Sequence, residues 1–279
     1  MTIDMSTTRT DLALESVQAA RSGAEAGTIS GVRSRERTRE GYAVTDIRVE
    51  DEDGAQALGK PVGRYVTVDL GPYFRREADY FDRGVRCLAG ELAALLPEGP
   101  VLAAGLGNRA MTCDAVGPAS IDNLLVTRHM IRAMPRQFAD FRPVAAVCPG
   151  VLARTGLEAL ELVRGAVERV RPAAVIAVDA LAARDSARLC ATVQLSDTGL
   201  VPGSGVGNRR SALDRGTLGV PVIAVGIPTV VDADLRAGLF LTPRDIDQRI
   251  RELGRLLGYG ITLALQPSLT AADVTALLG

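Results

Sequence analysis

The stretch Pro172-Ala-Ala-Val-Ile-Ala-Val178-Asp179-Ala-Leu-Ala-Ala-Arg184 decides the fold. Its apolar run is too short for a helix and does not alternate, so it reads as a strand buried on both faces. Similar runs recur at Val101-Leu-Ala-Ala-Gly105, Pro143-Val-Ala-Ala-Val-Cys148 and Pro221-Val-Ile-Ala-Val225. Helical patterns at about 76–96, 118–134, 155–170 and 242–265 lie among them, with Thr155-Gly-Leu-Glu158 as a capping box. Buried strands alternating with amphipathic helices predict an α/β fold, a mostly parallel sheet flanked by helices. Upstream, Tyr42-Ala-Val-Thr-Asp-Ile-Arg-Val49 and Arg64-Tyr-Val-Thr-Val-Asp-Leu70 alternate. Residues 29–70 therefore predict a small N-terminal antiparallel β layer, preceded by a short helix near 11–22.

Composition narrows the chemistry. The 279 residues carry 32 basic against 33 acidic side chains, a formal charge of -1, and no Trp. No net field favours nucleic acid or an anionic membrane, and aromatic stacking platforms are scarce. The single histidine, His129, excludes zinc sites that need two or three imidazoles. Cys87, Cys113, Cys148 and Cys190 form no CxxC pair, and no apolar run reaches membrane-span length. A reducing cytoplasm is the expected compartment. Lys60 is the only lysine, which reads as codon bias rather than function.

In such a sheet, ligands meet the loops beyond the carboxyl ends of the strands. Three of these loops hold unusual residues: Gly105-Leu-Gly-Asn-Arg-Ala-Met-Thr-Cys-Asp114, Asp179 directly after its apolar run, and Ser196-Asp197-Thr-Gly-Leu-Val-Pro-Gly-Ser-Gly-Val-Gly-Asn208. Asp114 and Asp179 read either as helix caps or as a carboxyl pair sharing a proton. In the second case one carboxyl is base toward water and the other donates to a carbonyl oxygen. Asn108, Asp197, Gly203, Ser204 and Gly205 are the supporting loop residues, with the glycine-rich loop as a source of amide donors to an oxyanion. Asp197-Thr-Gly199 alone reads as structural, because a pepsin-like site needs two such tripeptides. Two rival readings stand beside this one. Asp114, Asp179 and His129 would hold a divalent metal in a maturation-type peptidase, or residues 105–110 would form a non-enzymatic nucleotide-binding module.

Taken together, the chain resembles the germination proteases of spore-forming bacteria. The resemblance is carried by Gly105-Leu-Gly-Asn108, Asp114-Ala-Val-Gly-Pro118, Asp122-Asn-Leu-Leu-Val-Thr-Arg-His129, Asp179-Ala-Leu-Ala-Ala-Arg184, Ser196-Asp-Thr-Gly199, Pro202-Gly-Ser-Gly-Val-Gly-Asn208 and Thr217-Leu-Gly-Val-Pro-Val-Ile-Ala-Val-Gly-Ile-Pro-Thr-Val-Val-Asp232. It implies a fold related to hydrogenase maturation proteases and an atypical aspartic mechanism without cofactor or metal, with Asp114 and Asp179 essential. It implies small acid-soluble spore proteins as substrates, a homotetramer, no direct nucleic-acid or membrane contact, and the cytoplasm of the spore core as location. It also implies a zymogen. Residues 1–11 would be the leader, removed by a cut between Asp11 and Leu12, and 12–279 a single peptidase domain. Cys113 stands where the family usually has proline. Leu152-Ala-Arg154 is bulkier than usual, and the chain is shortened between Asp232 and Thr242.

Overall fold

The computed structural model describes residues 10–22, 29–204, 207, 210–234 and 239–279, and the side chains among these except at 233 and 234. In chain order the elements are α1 (Ala13–Ser22), β1 (Val32–Arg39), β2 (Tyr42–Val49), α2 (Glu52–Leu58), β3 (Gly63–Asp69), α3 (Gly71–Phe74), α4 (Tyr80–Ala93), β4 (Val101–Leu106), α5 (Val116–Asp122) and α6 (Arg128–Ala133). They continue with β5 (Val144–Gly150), α7 (Leu152–Thr155), α8 (Ala159–Val170), β6 (Ala174–Ala183), β7 (Thr192–Ser196), α9 (Arg215–Leu218), β8 (Val222–Asp234), β9 (Leu239–Leu241), α10 (Ile246–Leu265) and α11 (Ala271–Leu278).

The strands form a mixed sheet in the order β1-β2-β3-β7-β8-β6-β4-β5, with β9 paired to β8. The apolar runs form its parallel part, where β5, β4, β6 and β8 lie side by side. The N-terminal antiparallel strands do not make a layer of their own. β3 pairs with β7 and β7 with β8, so the meander extends the same sheet. Continuing the sheet satisfies the edge amides that a separate layer would leave open.

Alternation along the strands splits the core. Ile176, Val178, Val101, Ala103, Ile223 and Val225 face α4, α5 and α10. Val175, Ala177, Leu102 and Ala104 face α8 through Leu160, Val163 and Val167. Over the antiparallel part, α1 and α2 cover Ile47, Val49 and Tyr65. Each fully buried valine, leucine or isoleucine among them contributes roughly 1.5–3 kcal/mol.

Three local expectations change. The helix expected over 118–134 is two helices, because α5 ends at Asn123 and Thr127 turns aside to bond the Arg142 carbonyl at 2.6 Å and the Val144 amide at 2.9 Å. The capping box lies one turn later than expected. Glu158, not Thr155, is the N-cap of α8, with Glu161 reaching back to its amide at 2.7 Å. Most consequential for function, β6 does not stop at Val178. It runs on to Ala183 because the long strand β8 pairs with it throughout, from Val175↔Val222 to Ala183↔Val231.

Candidate active site

Asp179 is therefore a mid-strand residue and not the helix cap that was one reading of it. β4 pairs with β6 only as far as Gly105↔Val178, so Asp179 is the first residue beyond the end of β4. On its other side it pairs with Gly226 of β8. It is 6% exposed, and its Oδ1 accepts the adjacent Ala180 amide at 2.9 Å.

Asp114 enters the place that β4 leaves. It ends a one-turn 3-10 segment, Thr112–Asp114, that packs on β6 and β8. Two glycines make the approach possible. A Cβ on Gly117 would lie 2.3 Å from the Leu106 carbonyl oxygen and 2.5 Å from that of Val178, so only glycine lets α5 begin against both strand ends. Gly107 has φ +105, and a Cβ there would meet the Asp114 carbonyl oxygen at 2.0 Å. The Asn108 amide donates to Asp114 Oδ2 at 2.9 Å, and Thr229 of β8 pins the turn through the Cys113 carbonyl at 2.6 Å. The cysteine in place of the usual proline thus keeps the bond that uses its carbonyl. Gly105 is needed for the same packing, since a Cβ there would meet the Gly117 carbonyl oxygen at 2.6 Å, so close approach of α5 and of Asp114 accounts for the Gly105-x-Gly107 pattern.

The electrostatics follow from the burial. Asp114 is pushed up to about 6 by loss of solvent, against the lowering effect of the Asn108 amide. Asp179 is raised well above the ordinary carboxylate range, first by burial and then by the negative charges of Asp114 and Asp11. The two acids interact, so they titrate as a pair that retains a proton where isolated carboxylates would have lost theirs.

Asp11 lies beside them. Its backbone N–H donates to the Ala182 carbonyl at 2.9 Å, and the Ala182 amide returns a bond to Asp11 Oδ2 at 2.9 Å. Residues 10–12 thus occupy the edge of β6 that β4 leaves open. Leu12 is fully buried against Ala183, Val231, Leu181 and Leu189. Ser204 Oγ donates to Asp11 Oδ1 at 2.8 Å. Glu15 accepts the Arg184 and Asp185 amides at 2.7 and 2.9 Å and the Thr10 hydroxyl. Lys60, read from the sequence as a compositional accident, donates to the Thr10 carbonyl at 3.1 Å.

The remaining predicted residues divide. Asn108 and Ser204 join the site, and Gly203 forms the turn before Ser204 with φ +72. Gly205 lies outside the described residues. Asp197 does not reach the pair. β7 runs antiparallel to β8, so its carboxyl end points away from Asp179, and Asp197 holds the Arg64 amide at the start of β3 at 2.8 Å. Two of the three loops thus meet along one edge, and the third returns only at Ser204. His129 is exposed on α6, and among the described residues no group of three or more His, Cys, Asp or Glu is placed to hold a metal. Sequence reasoning missed Gln194, whose side chain reaches both Asp11 and Ala13. Its only signal was a polar residue on the wetter face of an alternating strand.

Residues 9–237 match the family model for germination protease. The chain belongs to the germination protease family. It is 40% identical to the germination protease of Caldanaerobacter subterraneus subsp. tengcongensis, over 97% of this chain and 98% of that one. It is 36% identical to that of Clostridium perfringens strain ATCC 13124 over the same shares, and 40% identical to that of Bacillus cytotoxicus over 95% of this chain and 76% of that one. Among solved structures it is similar to a [NiFe] hydrogenase maturation protease from Thermococcus kodakarensis. The TM-score is 0.40 at 17% identity, over 63% of this chain and 99% of that chain. Membership of the germination protease family makes this a peptidase chain. Among its described residues no helix is long and apolar enough to cross a membrane.

Proposed function

We propose that this chain is an endopeptidase that hydrolyses peptide bonds with the Asp114–Asp179 pair and one water. It first removes its own leader at Asp11–Leu12, and then cuts small acid-soluble spore proteins at germination. The observation that carries this reading is the position of Asp11–Leu12 on the open edge of β6, beside two carboxyls that keep a proton.

Asp179, the more deeply buried, retains the shared proton, and Asp114 is the ionised partner at neutral pH. Asp114 takes one proton from water as the water oxygen bonds the Asp11 carbonyl carbon, and Asp179 donates to the carbonyl oxygen. The tetrahedral diol then collapses. The C–N bond breaks, the Leu12 nitrogen takes the proton held by Asp114, and the diol returns its proton to Asp179. The products are a carboxylic acid at Asp11 and a free amine at Leu12.

The division into a leader of residues 1–11 and a domain of 12–279 is part of this reading, as are the zymogen state and the spore-core cytoplasm. The homotetramer is supported by Leu239, Phe240 and Leu241, which stand exposed in a row on β9 as apolar surface of the kind an assembly covers. The test is incubation of the purified full chain at mildly acidic pH, with mass spectrometry of its N-terminus. Loss of residues 1–11 is expected from wild type and not from Asp179→Asn. Full processing by Asp179→Asn would overturn the assignment.

A further inference from the structure

Gln194 is buried in β7, at the centre of the sheet. In the register it pairs with Gly226, which pairs in turn with Asp179. The three residues form one cross-strand row, so Gln194 and Asp179 project from the same face. Gly226 has no side chain of its own, and the Leu181 side chain packs over it, where a Cβ would meet Leu181 Cδ1 at 2.5 Å. A buried carboxamide must bond through both of its ends or lose its hydration uncompensated. Gln194 does so on one peptide. Its Nε2 donates to the Asp11 carbonyl oxygen at 3.0 Å, and its Oε1 accepts the Ala13 amide at 2.7 Å. These groups lie on the two sides of Leu12, and the first is the carbonyl of the bond to be cut.

The Asp11 side chain is held as specifically. Each oxygen has its own donor: Ser204 Oγ on Oδ1 at 2.8 Å and the Ala182 amide on Oδ2 at 2.9 Å. Lys60 fixes the chain one residue upstream through the Thr10 carbonyl. A neutral side chain at position 11 would leave one of these donors without an acceptor.

We infer that Gln194 is a further catalytic residue, holding the scissile carbonyl and donating to its oxygen as negative charge develops there, and that Ser204 with the Ala182 amide forms the subsite reading an acidic residue before the cut. This rests on the reading of Asp11–Leu12 as the processed bond. A preorganised donor aimed at a developing oxyanion in a water-poor site is among the largest single contributions to acyl-transfer catalysis.

The experiment follows the first-order loss of the N-terminal residues from the full chain, which is a single turnover and so reads chemistry rather than binding. Gln194→Met, of similar volume, removes the donor to Asp11 without introducing a group that can take up a proton and donate in its place. It is expected to slow processing by about 10²–10³-fold in a chain that still melts cooperatively. Gln194→Leu is the second variant should the first not fold. Ser204→Ala is expected to slow processing by about tenfold, and in the double variant Ser204→Ala/Asp11→Ala to add nothing to the loss from Asp11→Ala, because without the carboxyl Ser204 has no acceptor left to bond. Processing at the wild-type rate by a folded Gln194 variant would overturn the role of Gln194, and independent losses in the double variant would overturn the subsite. Failure of wild type itself to process would strike the proposed function instead, so the two failures are distinguishable.

Discussion

Two of the buried acids of this molecule, Glu91 and Asp179, sit in opposite surroundings. At the β1–β2–β3 end of the sheet, the fully buried Glu91 of α4 meets the guanidinium groups of Arg37 and Arg39, the second at 3.2 Å. Nearby, Arg64 Nη2 lies 2.6 Å from Asp46 Oδ2. At the other place, the charges that bear on Asp179 are those of Asp114 and Asp11, both negative. A buried acid with guanidinium groups beside it is paired and locks elements together. One with only other acids beside it takes up a proton and becomes a group able to give it away. The difference separates a structural acid from a reactive one better than burial does.

The largest expected effect tests the reactive side. Asp179→Asn and Asp114→Asn should each slow N-terminal processing by more than about 10³-fold with the fold intact, whereas Glu91→Gln should process at a measurable rate wherever it is folded. Comparable losses in all three would erase the distinction. Next comes stability. Glu91→Gln removes the buried anion shared by half-buried Arg37 and exposed Arg39, and should cost about 1–3 kcal/mol in denaturant unfolding. A neutral result would show that the Arg37–Glu91–Arg39 cluster is dispensable to packing.

A smaller effect distinguishes the two sites by pH. The Asp114 carboxyl titrates at about 6 in the folded chain against 3.8 when unfolded. Between those values the folded state holds more protons than the unfolded one, so stability falls as pH rises through that window. Asn cannot ionise. The stability of Asp114→Asn relative to wild type should therefore rise by roughly 2 kcal/mol between pH 4 and pH 7.5, allowing for partial exposure of the site. A flat difference would mean that Asp114 is not desolvated. The smallest effect concerns the docked segment. Glu15→Gln weakens the bonds from the Arg184 and Asp185 amides, and should cost about 1–2 kcal/mol. The expected readout is faster proteolytic nicking of the first helix in a chain whose melt is otherwise little changed.

Much of this was legible along the chain. The apolar runs at 101–105, 143–148, 173–178 and 221–225 could only be buried strands, and the acids that follow two of them marked the carboxyl edge. The end of β6 was not legible. Ala180-Leu-Ala-Ala183 is apolar without a strong preference of its own, and it is a strand because β8, some 45 residues later, extends to pair with it. The loop after β7 was misplaced for a related reason, since its direction depends on β7 being antiparallel to β8. Gln194 and Lys60 escaped notice because a carboxamide and an amine acquire a role only from what they touch, and what they touch lies 181 positions from Gln194 and 50 from Lys60.

By itself, then, the sequence determined the elements, the glycines that let α5 and its preceding turn sit against the strand ends, and the pair of acids worth watching, because apolar periodicity and backbone sterics are local properties. Only the tertiary structure decided that Asp179 stands in mid-strand beyond the end of β4, that Asp114 fills the place beside it, and that Asp11–Leu12 lies along the same edge. Those facts depend on strand order and register. They determine solvation, and solvation sets how tightly a carboxyl holds its proton.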